Sequence, residues 1–416
     1  MMKQPSQIEI MSPVGSYEAL MAAIQSGAGS VYFGVGNMNM RARSSANFTL
    51  EDLENIAHIC KENNVLSYLT VNTVIYNREI DEMHILLDVA KRCGISAIIA
   101  SDMAVMNYGK QIGLEIHIST QCNITNLEAV KFYAQFADVI VLARETELKD
   151  VKQIVKQIHE EKIRGPKGEI IKIEMFIHGA LCMAVSGKCY ISLDNFNYSA
   201  NRGACLQPCR RGYHVKDIDS EIELAVENQY IMSPKDLCTI GFLDEILDAG
   251  VTVLKIEGRG RSPEYVKMVT KCYHEATESI QNQNYTKEKI ETWKASLRSV
   301  YNRDFWNGYY LGQKVGEWTQ NYGSQATRTK QYVGKITNYF SNLQVAEILI
   351  ETHEISVGDD IMVFGPTTGV MDVKVNEVRV NLESVNQAEK GTSCSIPIPE
   401  LVRRNDKIYK WVVIND

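Results

Sequence analysis

The first 260 residues repeat one theme: a short aliphatic run, a polar or glycine end, then an amphipathic helical stretch. The runs are 8–12 (IEIMS), 30–35 (SVYFGV), 66–75 (LSYLTVNTVI), 96–102 (SAIIASD), 115–120 (EIHIST), 138–144 (DVIVLAR), 170–179 (IIKIEMFIHG) and 251–258 (VTVLKIEG). Aliphatic strands alternating with helices pair in parallel through right-handed crossovers. Eight such units over about 260 residues predict a (β/α)8 barrel, an α/β fold resembling a TIM barrel. Glycines at 27, 94, 113 and 250 stand where helices should stop before the next strand. A doubly wound open sheet is the runner-up, but its Gly-rich phosphate turn after the first strand is reduced to SPVGSYEA, with one glycine.

One connection is anomalous. The seventh run ends near His178 and the helix before the eighth starts near Gly241, about sixty residues where two to six are usual. This excursion leaves the C-terminal end of a strand, where barrel enzymes build their active sites. Its later part, YHVKDIDSEIELAVENQYIMS, alternates like a β-hairpin. The barrel domain is set at 1–280, followed by a mostly helical connector over 281–328. From 329 to 416 short strands separated by turn residues predict a small all-β barrel.

A formal net charge of −7 argues against a broadly basic nucleic-acid surface, so any RNA contact needs a local patch. No apolar run reaches the ~20 residues of a membrane span, and the N-terminus lacks the apolar core of a signal peptide. The chain reads as cytoplasmic, with structural disulfides not expected. Zinc-protease helix, nucleophile-elbow and P-loop patterns are absent, and Gly34-Val35-Gly36 lacks the third glycine of a dinucleotide fingerprint.

Five of the ten cysteines, Cys182, Cys189, Cys205, Cys209 and Cys238, fall in the excursion. Cys205 and Cys209 stand four apart, which on one helical turn aims both thiols the same way. Cys182 and Cys189 converge only if the chain turns, and Ser186-Gly187 offers that turn. Zinc ribbons use paired short knuckles and only one such pair exists here, whereas an iron–sulfur cube tolerates varied spacings. Cys60, Cys93, Cys272 and Cys394 lie on helix or strand patterns and read as inert packing.

Several runs together resemble the signature of the collagenase-like peptidases of unassigned mechanism. They are Glu174-x-Phe176-x-x-Gly179-Ala180-Leu181-Cys182, Gly187-x-Cys189-x-Ile191-Ser192, Asn201-Arg202-Gly203-x-Cys205-x-x-x-Cys209-Arg210, Met232-Ser233-Pro234-Lys235-Asp236-Leu237, Lys255-Ile256-Glu257-Gly258-Arg259 and Arg261-Ser262-Pro263-Glu264-Tyr265. Asn39-Met40-Arg41-Ala42 and Asn47-Phe48 fit as well, so the similarity spans the whole chain. The resemblance implies two activities. One is a collagenase-like protease. The other is oxygen-independent, prephenate-dependent hydroxylation by proteins carrying a [4Fe–4S] cluster on a barrel, with the wobble uridine of tRNA, a ribosomal cytidine or the ubiquinone ring as substrate. The two-domain form is most similar to the tRNA 5-hydroxyuridine branch. It also implies action in pairs, with a paralogous chain or a second copy. Within that pattern Cys182, Cys189 and Cys205 are cluster ligands and either Cys209 or Cys238 completes the set; Cys209 is preferred for its local tie to Cys205. No nucleophile–base signature supports proteolysis, which favours hydroxylation. A non-catalytic RNA-binding or assembly factor with a structural metal is the third reading.

Further candidates lie at predicted strand ends. Glu257, Arg259 and His178 are assigned to catalysis, although His178 suits a satisfied core position better than a catalytic one. Arg41, Arg43, Asn72, Gln121, Lys235 and Lys255 are assigned to binding a small dicarboxylate cosubstrate such as prephenate, since a guanidinium can grip a carboxylate through two hydrogen bonds. His117, Ser119 and Thr120 close the fifth run, and Arg202, Arg210 and Arg211 flank the cysteines, where they suit a phosphate backbone or simple solvation.

Overall fold

A computed structural model describes residues 8–43, 47–214, 230–314 and 316–414. Eight parallel strands form the first unit: β1 (Glu9–Pro13), β2 (Ser30–Gly34), β3 (Leu66–Val71), β4 (Ala97–Ala100), β5 (Glu115–Ile118), β6 (Val139–Val141), β7 (Lys172–Ala180) and β9 (Val253–Ile256). Each pairs with its sequence neighbour, β7 pairs with β9, and β9 pairs with β1, which closes the barrel. Helices α1 (Tyr17–Gln25), α2 (Asp52–Glu62), α3 (Ile80–Cys93), α4 (Met103–Gln111), α5 (Leu127–Tyr133), α6 (Leu148–Glu160), α8 (Leu243–Asp248) and α9 (Pro263–Gln281) surround it. The eight aliphatic runs are thus the eight barrel strands. Gly94 caps α3 at φ 78°, in the left-handed conformation that closes a helix without a Cβ clash.

Alternate strand residues turn inward. Met11, Tyr32, Tyr68, Ala97, Ile99, Val139 and Val253 form a compact interior cluster. The opposite faces, with Val31, Leu69, Ile98, Ile116, Ile140 and Leu254, pack against the helices in the main core. This two-sided burial explains why the runs are almost continuously apolar.

The excursion after β7 holds the short helix α7 (Ile191–Phe196), two single 3-10 turns and β8 (Asp236–Cys238), which runs antiparallel to the end of β7. The expected hairpin falls largely on residues 215–229, outside the described residues. The stretch 281–328 supplies α10 (Lys287–Arg298) and β10 (Phe305–Trp306), and β10 extends the barrel sheet beside β8. Trp293, Leu297, Val300, Trp306 and Tyr310 belong to the barrel's own core, so this segment is fastened to the barrel wall.

The C-terminal unit consists of antiparallel sheets. Its strands are β11 (Arg328–Phe340), β12 (Val345–Ile350), β13 (Ile355–Ser356), β14 (Asp360–Gly365), β15 (Gly369–Lys374), β16 (Val378–Val380), β17 (Glu383–Val385), β18 (Gln387–Ala388), β19 (Ser393–Pro397) and β20 (Lys407–Val413). Eight follow the order β15-β14-β20-β11-β12-β19-β16-β17, and β13 pairs with β18. They share one apolar core that includes Val333, Ile348, Ile361, Val378, Ile396 and Ile408. The unit leans on the outside of the barrel, where Met362, Phe364 and Val370 pack on Ala22 of α1 and Lys267 of α9 meets Asp372 at 2.6 Å.

Candidate active site

The C-terminal ends of the barrel strands, the excursion and residues 301–323 enclose a cavity of about 720 Å³. Its charge is one-sided. Arg41, Arg43, Arg144, Arg210, Arg211, Arg259, Arg261, Arg303 and Lys255 line it, and among the described lining residues Glu257 is the only carboxylate. A chain of net charge −7 therefore concentrates positive charge where barrel chemistry occurs.

The deepest layer lies inside the barrel. Lys255 Nζ on β9 donates to Glu174 Oε1 on β7 at 2.6 Å, and its ammonium sits 4.7 Å from the Tyr32 ring centroid. The second Glu174 oxygen faces His117 Nδ1 at 3.6 Å, while His117 Nε2 faces Glu115 Oε1 at 3.6 Å. Burial alone would lower the His117 pKa, but the two carboxylates outweigh it and hold the imidazole up at about 9. Glu174 stays ionised against its burial because Lys255 and His117 both face it.

Above this layer Arg259, Arg41, Asn72 and Gln121 are each held by hydrogen bonds. Arg259 donates from Nη1 to Asn39 Oδ1 at 3.0 Å and to Thr70 Oγ1 at 2.8 Å, with Gly34 leaving room for it. Arg41 Nη2 meets Glu257 Oε1 at 2.7 Å. Burial raises the Glu257 pKa, yet the charge and hydrogen bond of Arg41 overcome it and bring the carboxyl to about 2. Asn72 accepts the Met40 amide at 3.1 Å and donates to Gln121 Oε1 at 3.1 Å; Gln121 Nε2 returns a bond to the Asn72 carbonyl at 2.9 Å. Arg43 and Gln121 also line the cavity.

Four of the five clustered cysteines, Cys182, Cys189, Cys205 and Cys209, line the same cavity. Burial, together with the neighbouring Cys182, Cys205 and Cys189, pushes the Cys209 thiol up to about 11 despite the opposing Arg210. Arg210 braces this wall by donating to Ser233 Oγ at 3.1 Å, to the Pro234 carbonyl at 2.6 Å and to the Leu181 carbonyl. Four thiols are a donor set that could hold a metal cluster. Among the described residues no three His, Cys, Asp or Glu side chains already stand at metal-binding distance, so the thiols share a wall without forming a finished coordination shell.

Four further sequence candidates lie elsewhere. Cys238 does not line the cavity; it is buried in β8, where it accepts from Tyr273 Oη at 4.0 Å. Lys235 pairs with Glu317 at 2.9 Å and Asp304 at 3.1 Å outside the cavity. His178 is enclosed by the rings of Tyr265, Tyr273 and Phe305, and burial pushes it down to about 3. The cause is a bulge. The β7–β9 register slips between Phe176 and His178, so a residue that alternation would aim inward turns toward α9. Arg202 sits at the outer edge, paired with Glu79.

Arg144, Arg261, Arg303 and Glu174 were not singled out for a role by sequence reasoning. Arg144 donates to the Ala180 carbonyl at 2.8 Å and stacks 3.8 Å from the Phe176 ring centroid. Its signal was available, since it ends the run DVIVLAR at the mouth of β6. Arg303 comes from the connector, which no strand-end rule reaches.

Residues 15–320 match the family model described as Peptidase family U32. A protein named "Collagenase" from Porphyromonas gingivalis (strain ATCC BAA-308 / W83) is 59% identical over 406 residues, covering 98% of this chain and 98% of its own. The "tRNA hydroxylation protein P1" of Bacillus subtilis (strain 168) is 29% identical, covering 86% of this chain and 83% of its own. The "23S rRNA 5-hydroxycytidine C2501 synthase" of Escherichia coli (strain K12) is 33% identical over 66% of this chain and 40% of its own length.

Proposed function

Because the chain belongs to peptidase family U32, we propose that it is an iron–sulfur-dependent enzyme that hydroxylates RNA, at the wobble uridine of tRNA, with prephenate as oxygen donor. The observation that carries this reading is one cavity lined by four thiols on one wall and eight arginines around them. Cys182, Cys189, Cys205 and Cys209 would hold the cluster, which when bound supplies iron chemistry at that wall. The chain's own groups bind and orient. Arg259, fixed by Asn39 and Thr70, and Arg144 present guanidinium groups to a dicarboxylate. Lys255, neutralised from below by Glu174, adds a donor without bringing an uncompensated charge into the barrel. Glu257, kept ionised by Arg41, is an acceptor for a ribose or base hydrogen. Relatives named for tRNA and rRNA hydroxylation support the reaction class.

A protease reading is favoured by the relative named "Collagenase". Against it, no histidine lines the cavity among the described residues: His117 is engaged below it and His178 lies in an aromatic box. A Ser–His or Cys–His nucleophile pair therefore has no base there. Nucleoside analysis of tRNA from a strain lacking this chain tests the proposal. Loss of 5-hydroxyuridine and of nucleosides built on it is expected; unchanged levels would remove the proposal.

A further inference from the structure

A base that enters this cavity from within an RNA strand leaves its two neighbours on the rim, and the rim has a distinctive chemistry. Tyr190 and Tyr322 are 76% and 72% exposed. Tyr198 is exposed under the Arg43 guanidinium, whose carbon lies 4.6 Å from the ring centroid. Tyr76, also exposed, carries Arg202 at 4.5 Å and Arg78 at 5.3 Å, and Phe196 carries Arg211 at 5.1 Å. Two of these pairs are joined through the backbone. The Arg43 amide bonds to the Gly203 carbonyl next to Arg202, and the Val74 amide bonds to the Asn201 carbonyl. Arg43 and Arg211 form no ion pair with a carboxylate among the described residues.

Exposed rings on which any base can stack, beside Arg43 and Arg211 available to phosphates, make the kind of surface that binds unpaired nucleic acid. A folded duplex fits poorly, because the target base would first have to break its pair and leave its stack. A protein partner would bury the rings equally well but would have to place carboxylates opposite Arg43 and Arg211, whereas an RNA strand brings a phosphate with every nucleotide. We infer that the rim formed by Tyr190, Tyr198, Tyr76 and Tyr322 with Arg43 and Arg211 docks an unpaired stretch of RNA, holding the nucleotides on either side of the base in the cavity. This rests on the RNA-hydroxylase reading and assigns that reading its recognition surface.

The test is fluorescence anisotropy of the full chain, purified anaerobically, with a labelled RNA hairpin bearing an open loop and with a blunt RNA duplex of equal length. The hairpin binds more tightly than the duplex. Tyr190→Ala, Tyr198→Ala and Arg43→Ala each weaken hairpin binding roughly tenfold, the loss expected when one stacking ring or its cation is removed. Arg404→Ala, exposed on the C-terminal unit, leaves it unchanged. Equal affinity for hairpin and duplex, or rim variants that bind as the wild type does, overturns the proposal. So does a Tyr190→Ala variant that abolishes self-association while keeping hairpin affinity, since the rim would then be a protein interface. If the deletion strain keeps its 5-hydroxyuridine while the rim still selects open loops, the reaction assignment fails and the docking surface stands. If the deletion strain loses that nucleoside and the rim variants both bind and restore it normally, the docking surface fails alone.

Discussion

Lys255 Nζ and Glu174 Oε1 stand 2.6 Å apart inside the barrel, both buried, with Lys255 lining the cavity and Glu174 behind it. Removing one member of a buried pair strands the other charge in a medium that solvates it poorly. Glu174→Gln and Lys255→Met are each expected to cost about 3–5 kcal/mol of stability. The double variant should cost less than the sum, because no charge is left without its partner. Urea denaturation of the three variants measures this coupling.

His117 makes stability depend on pH in a definite direction. Its folded-state value of about 9 lies above the ~6.5 of an unfolded chain. Its contribution is therefore fully present below ~6.5 and is lost as pH rises through about 9. Glu257 works in the opposite sense: its contribution is present above ~4.3 and is lost as pH falls toward about 2. Urea midpoints for wild type should fall between neutral pH and about 9, and His117→Gln should lack that component. A wild-type-minus-variant difference that stays flat across this range would contradict the assignment.

The position of Cys238 separates it from the other four thiols. Cys209→Ser is expected to lose most bound iron after anaerobic purification, whereas Cys238→Ser keeps about four irons per chain, the content of one cube. Iron and sulfide analysis with an absorption spectrum gives the comparison. Stoichiometric zinc in place of iron in the wild type would favour a structural metal instead.

Gly179 sits at φ 105°, and an added Cβ would lie 2.5 Å from the Glu257 carbonyl oxygen. Gly179→Ala should therefore push apart the ends of β7 and β9 and displace Glu257 from Arg41. A loss of at least ~1 kcal/mol in stability is expected from the disallowed backbone alone. Activity should fall further than in a surface glycine variant such as Gly358→Ala in the C-terminal unit, whose φ of 95° is just as strained but where nothing lies within 4 Å of the added Cβ.

Much of this architecture was legible in the sequence, because a strand buried on both faces must be aliphatic and a crossover helix must be amphipathic. The excursion announced itself by its length, and its cysteines by their number. β8 and β10 were not legible: they are three and two residues long, too short to show any period, and pair only because the excursion and connector fold onto each other. His178 was read at a strand end, where it is, but the bulge beside Phe176 reverses its side chain, and bulges leave no trace in alternation of this kind. The arginine excess of the cavity was hidden in a different way. Arg144, Arg261 and Arg303 are far apart in sequence, and the net charge of −7 averages their concentration away.

The most direct measurement incubates the anaerobically purified, iron-loaded chain with tRNA from the deletion strain, with and without prephenate, alongside gelatin. New 5-hydroxyuridine that requires both prephenate and Cys182, with gelatin left whole, is the result this account predicts. Gelatin cleavage that survives metal stripping, with the tRNA unchanged, would contradict it.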